Sequence, residues 1–554
     1  MDYLKTVVPS QLLAERGANL VVINPGSANV RVGFASQDVP FNIPHCIARH
    51  ITQQENDTPR LSVRDKKLNC LATSSQNAER ERAYDIIASL LKIPFLDEEM
   101  PSTNQTLPPK MGRVDGLSSQ QKKDESKFTW TDVTEKNRPV DEDADMTPPQ
   151  RSSPDSNDTN SEENKYKEII FGEDALKIPP SESYCLSHPI RRGHFNISQD
   201  YSLHQVLEDL RTIWNWILTE KLHINPRDRH LYSAILVLGE TFDNREIKEM
   251  LSILLRDLGF STAVIHQEAL AAAFGNGLST ACVVNIGAQV TQVVCVEDGV
   301  ALPHTALALP YGGDDISRCL LWVQRRHRTW PNFQTDPVNK PIDMLMLNKT
   351  KESYCQIRSG SSDAVILVHS YEHEKSVGQQ KTKLSALNVP PMGLLYPRVL
   401  VPEEYPPPPR SWFQDYDDML EDTWQTSDNL YSSGNGGYGM WDNYPMFPTR
   451  LKKFDNIGLV EAIVGGTAST AGLAPVLEQR VLNTIPSNQP IEKAEVLQSR
   501  SYPLFVPWKG GVILGILDIG RDAWIHREDW AKHGTGNELL QHITGRTERG
   551  SLAK

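Results

Sequence analysis

The sequence predicts an α/β fold of two lobes, each built on its own sheet, carrying two long polar insertions. Three observations lead there. The chain has 554 residues, too many for one hydrophobic core. Between 203 and 265, apolar strand-like runs alternate with segments of helical period, the pattern of layers around a sheet. A strand–glycine turn–strand unit also occurs twice, about 260 residues apart, and each copy can shape a concavity of backbone N–H groups.

The first such unit is Leu20–Asn24, the turn Pro25–Ala28 and Asn29–Gly33, within a first core part over residues 1–52 that is β-rich over 20–52. Residues 53–165 form the first insertion. Its stretch 101–165 is rich in Pro, Ser, Asn, Gln and charge, with acidic residues from Asp141 to Asp145. So few apolar groups cannot offset the entropy of ordering, and the stretch is expected to be disordered. The core resumes over 166–400. Leu203, Val206, Leu207, Leu210, Trp214, Ile217 and Leu218 share one helical face. Ser233–Gly239 reads as a buried strand. Ile247, Met250, Leu251, Leu254, Leu255 and Leu258 mark a second helix, with Asp243 or Asn244 at its start and Gly259 at its end. Thr262–Ile265 is the next strand. The second hairpin follows as Ala281–Asn285, Ile286–Gln289 and Val290–Val296. The second insertion, 401–450, holds Pro406–Pro409, an acidic-aromatic run from Trp412 to Trp424 and a Gly-rich run from Ser432 to Gly439. It reads as a solvated loop or a partner-docking strip. The core ends over 451–545, and 546–554 is a tail.

Net charge is −13 and pI about 5.7, which argues against direct sequence-specific nucleic-acid binding by charge. Seven cysteines at wide spacing, without C-x-x-C, argue against a disulfide framework or zinc site and fit a reducing compartment. No secretion signal and no membrane span are expected.

Six motifs in order resemble the actin superfamily: Gly26-Ser27 with Arg31 and Gly33; Asn285-Ile-Gly-Ala-Gln-Val-Thr291; Ala301–His304 with Gly312–Ser317; Lys349-Thr-Lys-Glu-Ser-Tyr-Cys355; Val464-Gly-Gly-Thr467; and Trp508–Gly511 with Trp524–Trp530. The resemblance implies a two-lobed actin-like fold of the actin, Hsp70 and sugar-kinase type. It implies an ATP site with phosphate-side residues Gly26, Ser27, Arg31, Asn285, Gly287, Gln289 and Thr291. On the adenosine side it implies Lys351, Glu352, Gly465, Gly466 and Thr467. Asn24–Ser27, Ile43–Arg49, His188–Gly193, His266–Glu268 and Val296–Val300 are similar to one subgroup of actin-related proteins. That likeness implies a subunit of a nuclear INO80-type chromatin-remodelling complex, with other subunits, actin and histones as partners.

The catalytic pattern of actins is broken. Their two magnesium-ordering aspartates read Asn24 and Asn285, and a third acidic position reads Ala288. Neutral amides are poor ligands for a hard cation, so no metal site and no catalytic residue are expected. The water-orienting Gln and His positions are matched to Gln267 and Gln292, and an amide takes no proton at neutral pH. ATP is therefore expected to bind structurally. Just before Gly465, about one helix and one strand of the actin pattern are expected to be missing, a loss that would expose sheet edges. A cytoplasmic or cytoskeletal scaffold and a slow ATPase stay open as alternative functions. His369 and His373 at i, i+4 read as a strand end rather than a metal site. His188 with Arg191 and Arg192 reads as a solvated turn ahead of a phosphate patch, and Arg325–Arg328 as a weak nucleic-acid or nuclear-import signal.

Overall fold

A computed structural model describes residues 10–50, 74–93, 168–178, 184–198, 200–302, 305–372, 375–400, 459–485, 494–497, 499, 501–517 and 523–533. The expectations for Cys70, His373, the stretches 101–165 and 401–450 and the tail fall outside the described residues.

Strand β1 (Leu20–Pro25) turns into β2 (Asn29–Phe34), antiparallel, with Asn24 opposite Arg31. β3 (Phe41–Pro44) continues antiparallel on β2. The chain then returns with β4 (Ser233–Leu238) parallel to β1, and β5 (Thr262–Gln267) parallel to β4. The order is β3-β2-β1-β4-β5, with Ile525–His526 on the outer edge of β5. The second lobe repeats this plan. β6 (Ala281–Ile286) and β7 (Thr291–Glu297) form the hairpin. Val300–Ala301 and Leu307–Leu309 share the far edge of β7. β8 (Leu459–Val464) lies parallel to β6, and β9 (Ala494–Leu497) parallel to β8. Two sheets with one sequence of strand directions are a duplicated fold.

The helices follow their sequence signals. Leu203–Trp216 starts at a capping box of Ser202 with Gln205, and Asn244–Ser252 at one of Asp243 with Glu246. Gly259 ends the latter segment in the left-handed region, φ +87°. Their apolar faces bury Leu210, Trp214, Met250 and Leu251 in the core of the first lobe. The helices Glu268–Asn276 and Val506–Ile516 cross between the lobes. A Cβ on Gly510 would collide with the carbonyl of Ala271, so only glycine allows this backbone approach. Trp508, fully buried, anchors the crossing by donating from Nε1 to Val22 O at 3.0 Å.

Two expectations are corrected here. The strand thought missing before Gly465 is β8, paired on both sides, with Val464 opposite Asn285. Its described side chains, Ala462, Ile463 and Val464, are buried, and successive buried residues show no alternation to announce a strand. No helix is described between Val399 and Leu459; that part of the expectation lies in 401–458, outside the described residues. The second correction concerns the first insertion. Ser74–Leu90, assigned to it, is a helix, and Ala83, Tyr84, Ile87 and Ala88 join the core of the second lobe. Its apolar stripe is thin because arginines do part of the packing. Arg80 lies 4.2 Å over the Trp322 ring and donates to Val399 O at 2.8 Å. Arg326 lies 4.0 Å over Tyr84.

Candidate functional site

The bends of the two hairpins meet at one cleft of ≈ 1000 Å³. Each bend closes the same way: Gly26 N–H donates to Asn29 O at 2.9 Å, and Gly287 N–H to Val290 O at 2.9 Å. A Cβ would meet Asn29 O at 2.9 Å in the first bend and Val290 O at 3.0 Å in the second. Both turns are thus crowded by their own closing carbonyl and suit glycine.

The floor of the cleft is a charged knot. Asn24, wholly buried, donates from Nδ2 to Val237 O at 3.0 Å and to Glu268 Oε1 at 3.1 Å. Its Oδ1 accepts from Arg31 Nη1 at 3.0 Å. The Asn285 side chain also donates to Glu268, so one carboxylate links the ends of β1 and β6. Burial pushes the Glu268 pKa up, against the opposing pull of Arg31 and the two amides. Burial also lowers the Arg31 pKa, with Glu268 opposing it. Arg31 Nε is buried without a hydrogen-bond partner, and an anion against it would satisfy that donor.

His45 braces the first bend from behind. Trp214 Nε1 donates to His45 Nε2 at 3.2 Å, which leaves the proton on Nδ1, facing Gly26 O at 3.0 Å. Burial, with His188 and Arg31 nearby, depresses its pKa to about 4 despite the bond to Gly26. The imidazole is therefore neutral at physiological pH.

A turn of the first lobe closes over the second bend. Arg192 N donates to Gln289 Oε1 at 3.0 Å, and Nη1 donates to Gln289 O at 2.7 Å. The guanidinium grips Asp315 through Nη1–Oδ2 at 2.7 Å and Nη2–Oδ1 at 2.8 Å. Side-chain exposures are 3% and 1%, so the pair is dry. Burial raises the Asp315 pKa, yet Arg192, Arg318 and the Gly312 N–H pull it further down, below the usual carboxylate value. Gly193 N–H reaches Ser27 Oγ at 3.3 Å, and Gln289 Nε2 donates to Asp314 Oδ2 at 3.1 Å. The expected solvated turn at Arg191–Arg192 is corrected to a buried clasp, because Asp315, 120-odd residues downstream, supplies the counter-charge.

On the second-lobe side of the cleft, Lys351 Nζ donates to Gly313 O at 2.9 Å and to Asn348 Oδ1 at 3.3 Å, and Glu352 is exposed. Thr467 Oγ1 donates to Gly287 O at 3.1 Å, and Gly465 N–H to Pro503 O at 3.2 Å. Gly466, Tyr502, Leu504 and Phe505 complete this rim.

Of the expected site residues, Gly26, Ser27, Arg31, Asn285, Gly287, Gln289, Lys351, Glu352, Gly465, Gly466 and Thr467 all line the cleft. Thr291 does not: it is fully buried, and its Oγ1 donates to Tyr311 O at 3.0 Å. It supports the bend from within the sheet. Gln267 is also displaced. It ends β5, and the cleft is lined instead by its neighbour Glu268, the first residue of the following helix. A one-residue slip at a strand–helix junction moves the functional position, and the sequence alone does not fix that boundary. Gln292 is in the cleft as expected, donating to Thr241 Oγ1 at 3.1 Å.

The residues fit a nucleotide better than a divalent cation. Two glycine cradles and an orphaned guanidinium donor suit phosphate. Asn24, Asn285 and Ala288 supply no charged oxygen, and among the described residues no cluster of His, Cys, Asp or Glu suits a metal. No helix among them is long and apolar enough to cross a membrane. Arg325–Arg328 engages the protein itself: Arg325 donates to Thr335 O at 2.7 Å, and Arg326 to Glu81 at 2.7 Å.

The family profile named Actin matches residues 16–380. The chain is 87% identical to actin-related protein 9 of Oryza sativa subsp. indica, over 96% of each chain. It is 52% identical to actin-related protein 9 of Arabidopsis thaliana, over 98% of this chain and 95% of that one. Actin-related protein 8 of Bos taurus is 26% identical over 93% of this chain and 90% of its own length. The solved structure of human actin-related protein Arp8 in its ATP-bound state superposes with a TM-score of 0.66 at 25% identity, covering 97% of this chain and 98% of that one.

Proposed function

This chain belongs to the actin family, and from that premise we propose that it is a non-catalytic actin-related subunit of a nuclear INO80-type chromatin-remodelling complex, with a cleft that holds ATP structurally. One observation carries the nucleotide part. Two glycine cradles face one cleft, and its floor joins Asn24, Arg31, Glu268 and Asn285 in a closed network. When bound there, ATP supplies a polyphosphate that both lobes can grip. The chain's residues do the gripping: the bends at Gly26 and Gly287 offer N–H groups, Arg31 offers a cation, and Lys351 and Glu352 flank the opposite end. The likeness to an ATP-bound relative supports this reading.

The lack of turnover follows from chemistry. Amides at 24 and 285 give no field to order a cation, a terminal phosphate and an attacking water. Gln292 accepts no proton. The nuclear role rests on the subgroup motifs and on the kinship with actin-related proteins 8 and 9. Affinity purification with mass spectrometry tests it: a remodelling ATPase among the partners is expected. Nuclear exclusion without such a partner would sink it and favour a cytoplasmic scaffold.

A slow ATPase is the second reading, and Glu268 is the observation that favours it. A carboxylate with a raised pKa in the cleft is a candidate base for water. Its engagement by Asn24 and Asn285 opposes that role. Glu268→Gln separates the two: phosphate release that falls below the unmodified protein's would establish the slow enzyme.

A further inference from the structure

The second hairpin carries two side chains that the cleft does not use. Cys282 on β6 and Cys295 on β7 are direct register partners, and both are free and buried. Directly opposite residues of an antiparallel pair share one face, and here both enter the core of the second lobe. The backbone shows what kind of pair they are. Cys295 N–H donates to Thr305 Oγ1 at 2.9 Å, and Cys295 O accepts from Leu302 N–H at 2.8 Å. Both groups thus face away from β6. The bend agrees: Gly287 N–H donates to Val290 O, and hydrogen-bonded pairs alternate from there, so Cys282 and Cys295 fall on a non-hydrogen-bonded position. At such a position the Cα atoms stand about 4.5 Å apart and the side chains are closest. That lies within the span of about 4.4–6.8 Å that a disulfide bridges. The two thiols are already hydrogen-bonded to each other.

We propose that Cys282 and Cys295 form a peroxide-sensitive dithiol, which hydrogen peroxide converts to a disulfide that staples β6 to β7 behind the Gly287 bend. Cys295 is the attacking sulfur. The hydrogen bond from the Cys282 thiol holds the Cys295 pKa below its ordinary value, although burial opposes this. The Cys295 thiolate attacks one peroxide oxygen: an S–O bond forms, the O–O bond breaks and hydroxide leaves, to be protonated to water. Cys282 then attacks the sulfenic sulfur. An S–S bond forms, the S–O bond breaks, and the oxygen departs as water with the Cys282 proton. The two thiols lose two electrons, and one peroxide becomes two waters. Burial selects the oxidant. With Cys282 at 2% and Cys295 at 1% exposure, a molecule close to water in size reaches the sulfurs through small openings of the sheet. Glutathione disulfide needs the sheet to unfold. The staple closes a loop that contains Gly287, Ala288 and Gln289, so it acts on backbone that lines the cleft.

The test is peptide mapping of the full folded chain after exposure to hydrogen peroxide, with remaining thiols alkylated in denaturant before trypsin cuts. Asp257–Arg318 has no lysine or arginine before its last residue and holds Cys282 and Cys295 but no other cysteine. One tryptic peptide therefore reports the pair. The expected product is that peptide, unalkylated and lighter by two hydrogen atoms, and doubly alkylated once a reductant precedes the alkylation. It should form roughly tenfold faster than Cys46, Cys319 and Cys355 are oxidised, since burial pushes their pKa values up. Glutathione disulfide should leave the pair reduced. The oxidised chain should melt a few degrees above the reduced one. Cys282→Ser and Cys295→Ser should each lose both the light peptide and that rise; if either fails to fold, the mapping of the unmodified chain still decides. Double alkylation after peroxide overturns the inference, as does a light peptide that appears only in urea. So does a sulfinic acid on Cys295 beside an alkylated Cys282, a rate no greater than that of the other buried cysteines, or equal oxidation by glutathione disulfide. A lower midpoint on oxidation overturns it as well, because the sheet then does not offer the bond its geometry.

Discussion

At one end of the cleft Asn24, Arg31, Glu268 and Asn285 are already joined to one another, and Arg192 with Asp315 clasps the lobes beside them. At the other end Tyr502 and Glu352 stand exposed to the cleft. In an enzyme of this architecture, the first end is where charge must be left unsatisfied until ligand and cation arrive. Here the protein satisfies most of it in advance. The first end braces itself and leaves little unsatisfied beyond Arg31 Nε, whereas the second stands open.

Breaking the clasp should have the largest effect. Arg192→Ala removes the bidentate partner of buried Asp315 and leaves it Arg318 Nη1 at 3.2 Å and the Gly312 N–H at 2.9 Å, so the cost should fall somewhat below the about 3–5 kcal/mol of a wholly unpaired buried charge. Urea unfolding reads this as a fall in midpoint at unchanged slope. Replacing both partners, as Arg192→Met with Asp315→Leu, should recover most of the loss, because the pair's desolvation cost disappears with it.

Acid should act on the same end through His45. The unfolded imidazole binds its proton near 6.5, and the folded one only near 4. Between those values the unfolded chain holds more protons, so stability rises with pH. The contribution is complete above 6.5 and is lost as pH falls towards 4, a difference of about 3 kcal/mol at 1.36 kcal/mol per unit. His266, also depressed to about 4 by burial, acts in the same direction in wild type and variant alike. His45→Gln should therefore show a shallower stability loss over this window, measured by urea midpoints at several pH values. Equal slopes would mean that the imidazole is not neutral in the native state.

The comparison sharpens if the first end regains acids. Asn24→Asp with Asn285→Asp should make ATP affinity depend on magnesium, by about tenfold between magnesium and a chelator, as charged oxygens attract a hard cation. The unmodified chain should show less than twofold. Restored affinity should precede any restored turnover, since Gln292 still offers no base. The smallest effect should come from deleting 101–165. A stretch so poor in apolar residues buries little area, and the thermal midpoint should stay within a degree or two. A large drop would mean that it packs on the core.

The sequence makes the skeleton legible for physical reasons. Hairpin glycines, the Asp243 cap, Gly259 and the period of Leu203–Leu218 are local signals, and the structure has the elements they announce. Eleven of the twelve expected site residues line one cleft: they sit on the two hairpin bends and the strand residues beside them, on the helix Pro341–Tyr354 and on the turn that follows β8. What stayed hidden depends on partners distant in sequence. Arg192 reads as solvated until Asp315 is placed beside it. Ser74–Leu90 reads as polar because arginine stacking does the work of aliphatic groups. Glu268 and Thr291 were one-residue questions, of a strand end and of which face of β7 points inward. β8 stayed hidden because Ala462, Ile463 and Val464 are buried in succession and carry no period.

The most direct test of a cleft that holds nucleotide without consuming it is the chemical identity of what the protein retains. The purified full chain is incubated with labelled ATP and magnesium, freed of excess, held for hours, and its bound nucleotide is resolved by chromatography. The account predicts intact ATP, bound by a protein that its ligand stabilises by about 2.7 kcal/mol at a hundredfold excess over Kd. Recovery of ADP with released phosphate, at an actin-like rate or faster, would contradict it.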